Sequence, residues 1–216
     1  AYEQAIRLDP NYAPAYHSKG NVLYALKQHK DALAAYEQAI RLDPNYAPAY
    51  HSKGNVLYAL KQLKDALAAY EQAIHLDPNY APAYHSKGNI LKEFMKHEEA
   101  LAAYEQATHL DPNYALAYFN KGYILYSLNR HEDALTALEQ AIRLDPNYAL
   151  AYRGKGRVLI EMSRHEDALI ALEQAIRLDP NYSGAYYDKG RALDNLGKSR
   201  EAKQAYKMAY QLGYTV

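Results

Sequence analysis

Three histidines, His17, His51 and His85, recur at a spacing of 34 residues, each followed four residues on by an asparagine, Asn21, Asn55 and Asn89. Tyr24 and Tyr58 stand seven residues after the first two. Further along, the corresponding stretches carry Phe119, Asn120, Tyr123 and Tyr126, then Arg153 and Arg157, then Arg191. An asparagine amide can bond both the N–H and the C=O of another backbone, and tyrosine adds rigid contact area at small entropic cost. Arginine pairs with carboxylates in a two-pronged geometry. This set suits recognition of a polypeptide better than it suits catalysis. A Gly-rich phosphate loop and a His-x-x-x-His pair are both missing from the sequence. A shared metal would need ring nitrogens about 2.0–2.1 Å from one ion. Histidines on elements about 8–10 Å apart or more are too sparse for that. The expectation is therefore no catalytic residue, no metal and no cofactor, with the histidines as polar contact residues that could make binding vary near pH 6.

The spacing is that of a repeated unit. The stretch APAYHSKGNVLYALKQHKDALAAYEQAIRLDPNY, residues 13–46, recurs at 47–80, 81–114, 115–148, 149–182 and 183–216, with half a unit at 1–12. A fixed period of this length means a stacked array in which each unit contacts its neighbours. Each unit reads as two helices. The first runs from about Ala13 to Leu26, and the second from about Lys30 to Leu42 with Ala32, Leu33, Tyr36, Ala39 and Ile40 on one stripe. Asp43-Pro44-Asn45 separates the units, with Asn45 as the expected N-cap and Pro48 in the first turn of the next helix. Gly20 and Ala32, with their equivalents in every unit, leave hollows into which a tyrosine from a facing helix can lie.

Tyr16, Gly20, Leu23, Ala32, Tyr36, Ala39 and Pro44, and their counterparts in all six units, resemble the tetratricopeptide repeat. The resemblance implies an all-α fold, a right-handed superhelical solenoid of antiparallel helix pairs running as one domain over 1–216. It also implies that first helices line a concave groove. His17, Asn21, Tyr24, His51, Asn55, Tyr58, His85, Asn89, Phe119, Asn120, Tyr123, Tyr126, Arg153, Arg157 and Arg191 then become candidate partner-binding residues. One departure from the family pattern is shared by all units: Lys19, Lys53, Lys87, Lys121, Lys155 and Lys189 precede the glycine, where an apolar residue is usual. These read as buried stems with the ammonium at the surface. The carboxylate clamp found in some members is matched only at Asn89 and Asn120, because His85, Leu150 and Gly154 occupy its other places.

Composition narrows the rest. Lys plus Arg and Asp plus Glu number 25 each, so no net charge favours nucleic acid or anionic lipid. No apolar run approaches the roughly 20 residues of a membrane span, and cysteine is absent. The chain opens inside a helical pattern without Met, which reads as a piece of a longer chain, and a cytoplasmic location is expected. The function expected is a non-enzymatic scaffold binding an extended peptide or protein segment, an acidic stretch or C-terminal carboxylate being the best match to the arginines. The alternatives are end-to-end self-association into homo-oligomers, or an engineered array without a natural ligand. The second of these is favoured by units 13–46 and 47–80, which differ only at His29/Leu63 and Arg41/His75.

Overall fold

The computed structural model describes residues 2–215, which form thirteen α-helices and no strand. A short helix α1 (Tyr2–Leu8) precedes six pairs: α2 (Ala13–Ala25) with α3 (His29–Leu42), α4 (Ala47–Ala59) with α5 (Leu63–Leu76), α6 (Ala81–Glu93) with α7 (His97–Leu110), α8 (Ala115–Ser127) with α9 (His131–Leu144), α10 (Ala149–Glu161) with α11 (His165–Leu178), and α12 (Ser183–Asn195) with α13 (Ser199–Gln211). The helices group into two compact units, residues 1–111 and 112–216.

Within a pair the helices close on each other through a three-residue turn. Its middle residue is left-handed in every repeat: Lys27, Lys61, Met95, Asn129 and Ser163 have φ between 58° and 62°, and Gly197 has φ 72°. The amide that follows reaches back over the turn, as when Gln28 N–H donates to the Leu23 carbonyl at 2.9 Å. This satisfies carbonyls that the helix end leaves unpaired. Between pairs, Asn45 is not the cap. Its own N–H donates to the Asp43 carboxylate at 3.0 Å, and Tyr46 occupies the cap position without a side-chain bond. A short acidic side chain two residues upstream holds this turn more directly than an asparagine one residue before the helix boundary.

The expected large-into-small packing holds in every repeat. A Cβ on Gly88 would lie 2.6 Å from the Tyr104 ring, and Gly54 faces Tyr70 in the same way. In the second unit Leu138 fills the hollow over Gly122, Leu172 that over Gly156 and Tyr206 that over Gly190. Cores also bridge repeats: Leu57, Ala66, Ala69, Tyr70 and Ile90 form one buried cluster, with Leu33 and Leu67 against it. In residues 1–111, α3 packs on α4 and α5 on α6, and the first helices also touch one another, α2 with α4 and α4 with α6. In residues 112–216, α8 touches α10 and α10 touches α12. Second helices make no comparable mutual contact among the described residues, so in each unit the first helices lie on the inner side of the stack.

The lysines before the glycines do more than reach the surface. Lys53 meets Glu37 at 2.9 Å, Lys87 meets Glu71 at 2.8 Å, and Lys155–Glu139 and Lys189–Glu173 close at 2.7 Å. Each pair joins a first helix to the second helix of the preceding repeat. With the carboxylates about half exposed, each contributes at most about 1 kcal/mol.

Candidate functional site

The inner face is built from first-helix residues, and bonds between neighbouring repeats fix much of it. In residues 1–111, His17 Nε2 lies 2.9 Å from Ser52 Oγ, and His51 Nε2 lies 3.0 Å from Ser86 Oγ. The His17 ring also packs on Tyr36 and edge-on against Tyr46, and His51 repeats the arrangement with Tyr70 and Tyr80. His85 lies against Tyr104 and is only 5% exposed. His17 and His51 therefore join one repeat to the next, and all three rings pack against tyrosines within the protein. Burial lowers the pKa of all three, to about 4 for His51 and His85. Loss of water penalises the charged ring. The His51 and His85 rings are neutral at pH 6, so the charge change expected near that pH does not come from these two.

The asparagines are oriented from behind. Tyr36 Oη donates to Asn21 Oδ1 at 2.8 Å, Tyr70 to Asn55 at 2.9 Å and Tyr104 to Asn89 at 2.8 Å. Burial raises the Tyr36 hydroxyl to about 12, so it stays a donor at neutral pH. A second-helix tyrosine thus crosses the glycine hollow of its own pair and pins the amide on the inner face. With Oδ1 accepting from a tyrosine, the NH2 groups of the exposed Asn21 and the half-buried Asn55 are the donors these amides can offer a ligand. Tyr24 is 37% exposed and packs on His29, while Tyr58 donates to Glu93 on the next first helix.

Residues 112–216 are arranged differently. Phe119 packs on Tyr148 and Asn120 is buried. Tyr123 is 43% exposed. Arg153, at the place of the histidines, donates from Nε to Asp188 at 2.6 Å, and Asp188 stands at the place of the serines with its side chain 3% exposed. The same guanidinium reaches Tyr182 Oη at 3.3 Å. Gly184 makes room for it, since a Cβ there would lie 2.6 Å from Arg153 Cζ. Arg153 is thus committed to an internal ion pair. Arg191 pairs with Glu161 at 3.0 Å and passes 3.9 Å from Asp188. Arg157 stacks over the Tyr126 ring at 4.7 Å and donates to its hydroxyl at 3.4 Å.

Reading residues by type did not assign the roles of three participants: the hydroxyls of the Tyr36 series on the asparagines, Asp188 on Arg153, and Gly184 beneath that guanidinium. The signal was present as covariation between repeats. Asparagine occupies the inner face in the three repeats whose second helix carries Tyr36, Tyr70 or Tyr104, whereas Tyr123 and Arg157 replace it where Leu138 and Leu172 replace the tyrosine. In the sixth repeat Tyr206 is retained and donates to Asp194 instead.

Among the described residues no group of three or more His, Cys, Asp or Glu could hold a metal ion, and no helix is long and apolar enough to cross a membrane. No curated protein matches the chain by sequence. Among solved structures, YrrB, a TPR protein with an unusual peptide-binding site, is 27% identical with a TM-score of 0.70, over 88% of this chain and 97% of that one. MamA is 27% identical with a TM-score of 0.69, over 74% of this chain and 93% of that one. PilF of Pseudomonas aeruginosa shares the fold at 18% identity and a TM-score of 0.83, over 94% of this chain and 92% of that one. Tetratricopeptide repeat models match residues 85–149, 125–183, 1–34 and 171–204, and a TPR repeat model matches 20–61 and 54–93. With its helix pairs, glycine hollows and matched repeats, the chain belongs to the tetratricopeptide repeat family.

Proposed function

We propose that the chain is a non-enzymatic scaffold whose first-helix faces bind an extended segment of a protein partner. The observation that carries this is the row of asparagines held by buried tyrosine hydroxyls, Asn21 by Tyr36 and Asn55 by Tyr70. An amide already held through its oxygen is a prepaid donor for a backbone carbonyl, and fixing it beforehand removes the rotamer entropy that binding would otherwise cost. Repetition every 34 residues gives register without demanding a particular partner sequence. The peptide-binding site described for YrrB, a protein of similar fold and 27% identity, supports the reading. The contacting residues proposed are Asn21, Asn55, Asn89, Tyr24, Tyr58, Tyr123, Tyr126 and Arg157. His85 and Asn120 are buried and Arg153 is paired with Asp188, so these serve the scaffold.

The test is fluorescence anisotropy with a panel of labelled ten-residue peptides of varied composition, using the full chain and its N21A/N55A variant. Binding by the full chain that weakens about tenfold or more in the variant supports the proposal, since two charge-free hydrogen bonds contribute about 0.5–1.5 kcal/mol each. Equal binding by both proteins refutes the asparagine row. An absence of binding across the panel refutes the peptide-binding role.

A further inference from the structure

The lysine that precedes each glycine, where an apolar residue is usual, leaves space on another face of the first helices. Lys155 turns its ammonium to Glu139 of α9, at 2.7 Å, rather than filling the seam between α10 and α11. An open groove of about 410 Å³ results, with Tyr152, Gln174 and the buried Leu159 and Ala171 in its lining. That size falls within the roughly 300–1,000 Å³ of ligand sites. Tyr152, Lys155 and Leu159 stand at i, i+3 and i+7, so they share a face of α10 that Arg153 and Arg157 do not.

The same groove recurs in the first repeat, at about 370 Å³, beside Tyr16, Lys19 and Leu23. What sets the fifth repeat apart is the side chain at its edge. Ile170 stands where the other repeats carry Ala34, Ala68, Ala102, Thr136 and Gln204, and it is 69% exposed. An isoleucine there adds nothing to the core and is a poorer helix former than alanine. Such a local cost without a gain in folding marks a place shaped for contact. Arg177 supplies a charge beside it. Its guanidinium bonds the neutral amide of Gln174. The carboxylates near it are already engaged, Glu173 by Lys189 at 2.7 Å and Asp167 by Arg164 at 2.6 Å.

We infer that this groove is a second binding surface, which takes an extended acidic segment of a partner protein with an aliphatic side chain against Ile170 and a carboxylate on Arg177. Charge complementarity favours that occupant, because Lys155, Arg164 and Arg177 line the groove against Asp167 alone. Ile170 and Arg177 are seven residues apart on α11, about 10 Å along the helix axis. About three residues of extended chain span the same distance, so the segment reads aliphatic-x-x-acidic. This surface does not depend on the asparagine row, and a chain that uses both joins two partners.

The experiment compares labelled, end-blocked Gly/Ser-rich decapeptides with Leu-Ser-Ser-Glu, Leu-Ser-Ser-Gln, Ala-Ser-Ser-Glu or Ala-Ser-Ser-Gln at the centre. Anisotropy at about pH 8, where an exposed histidine is neutral, sets the full chain against I170T, R177H and N21A/N55A. The first two install the residues that already fold at these places, Thr136 in the fourth repeat and His109 in the third. The full chain should bind Leu-Ser-Ser-Glu about tenfold or more tighter than Ala-Ser-Ser-Gln, and methyl NMR should show the Ile170 signal move. I170T should erase the Leu-over-Ala preference and R177H the Glu-over-Gln preference, while N21A/N55A keeps both. Equal binding of the four peptides, no binding, or a preference that survives its variant refutes the groove and leaves the asparagine row to its own test. Preferences lost in N21A/N55A would put the segment on the inner face and overturn the second surface.

Discussion

Arg153→Ala is the most informative single change, because it separates a buried ion pair from the surface ones that look similar in sequence. Asp188 has its side chain 3% exposed and takes Arg153 Nε at 2.6 Å. Removing the guanidinium strands a carboxylate that water cannot reach, a change that costs about 3–5 kcal/mol in general. Arg191 remains 3.9 Å away and offers partial compensation, so about 3 kcal/mol is expected, near the lower end of that range. For a chain of this length that corresponds to about 6–12 °C in midpoint if unfolding is cooperative. Lys53→Ala, which breaks an exposed pair of 2.9 Å, should cost less than about 1 kcal/mol. Asp188→Asn should cost less than half as much as Arg153→Ala, because the guanidinium is 23% exposed and can turn to water. Most of the loss should return in R153H/D188S, which installs the pair seen at His51 and Ser86. Thermal melts by circular dichroism, with hydrogen exchange to localise the change to 112–216, read all four variants. A shift for Arg153→Ala no larger than that for Lys53→Ala would refute the reasoning.

Four further outcomes are expected. Gly88→Ala should destabilise by about 1–3 kcal/mol despite alanine's better helix propensity, because its Cβ would stand 2.6 Å from the Tyr104 ring, which is 0% exposed; urea titration measures it. Lys61→Gly should stabilise slightly, by up to about 1 kcal/mol, since φ is 62° there and glycine carries no left-handed penalty; an unchanged or lower urea midpoint would count against it. Acidification should destabilise the fold: His51 and His85 titrate near 4 when folded against 6.5 when unfolded, so the unfolded chain gains protons first as pH falls. Stability is full above the unfolded value and declines between about pH 6.5 and 4, by roughly 2 kcal/mol per ring at pH 5, and H51N should flatten part of the difference between melts at pH 7.5 and pH 5. Finally, Tyr36→Phe/Tyr70→Phe keeps the rings in their glycine hollows but frees the Asn21 and Asn55 amides; it should weaken peptide binding several-fold with little change in melting temperature.

The 34-residue period, the paired helices and the filling of each glycine hollow by a facing tyrosine or leucine are all legible in the sequence, because they depend on local periodicity and on residue size alone. Helix ends were readable to within a residue or so, but not the chemistry of the caps: whether Asp43 or Asn45 closes the turn depends on backbone angles that composition does not contain. The identities of the inner-face residues were also legible, whereas their partners were not. Bonds such as His17 to Ser52 and Arg153 to Asp188 span 35 residues and exist only once the rise and rotation between successive repeats are set. The same stacking decides which side chains lose water. It buried His85, turned Arg153 from an open contact into an internal joint, left Arg157 stacked on Tyr126, and set the titration of His51 and His85 below its usual range. Residue type determines what a side chain can do, and packing between repeats determines what it is left free to do.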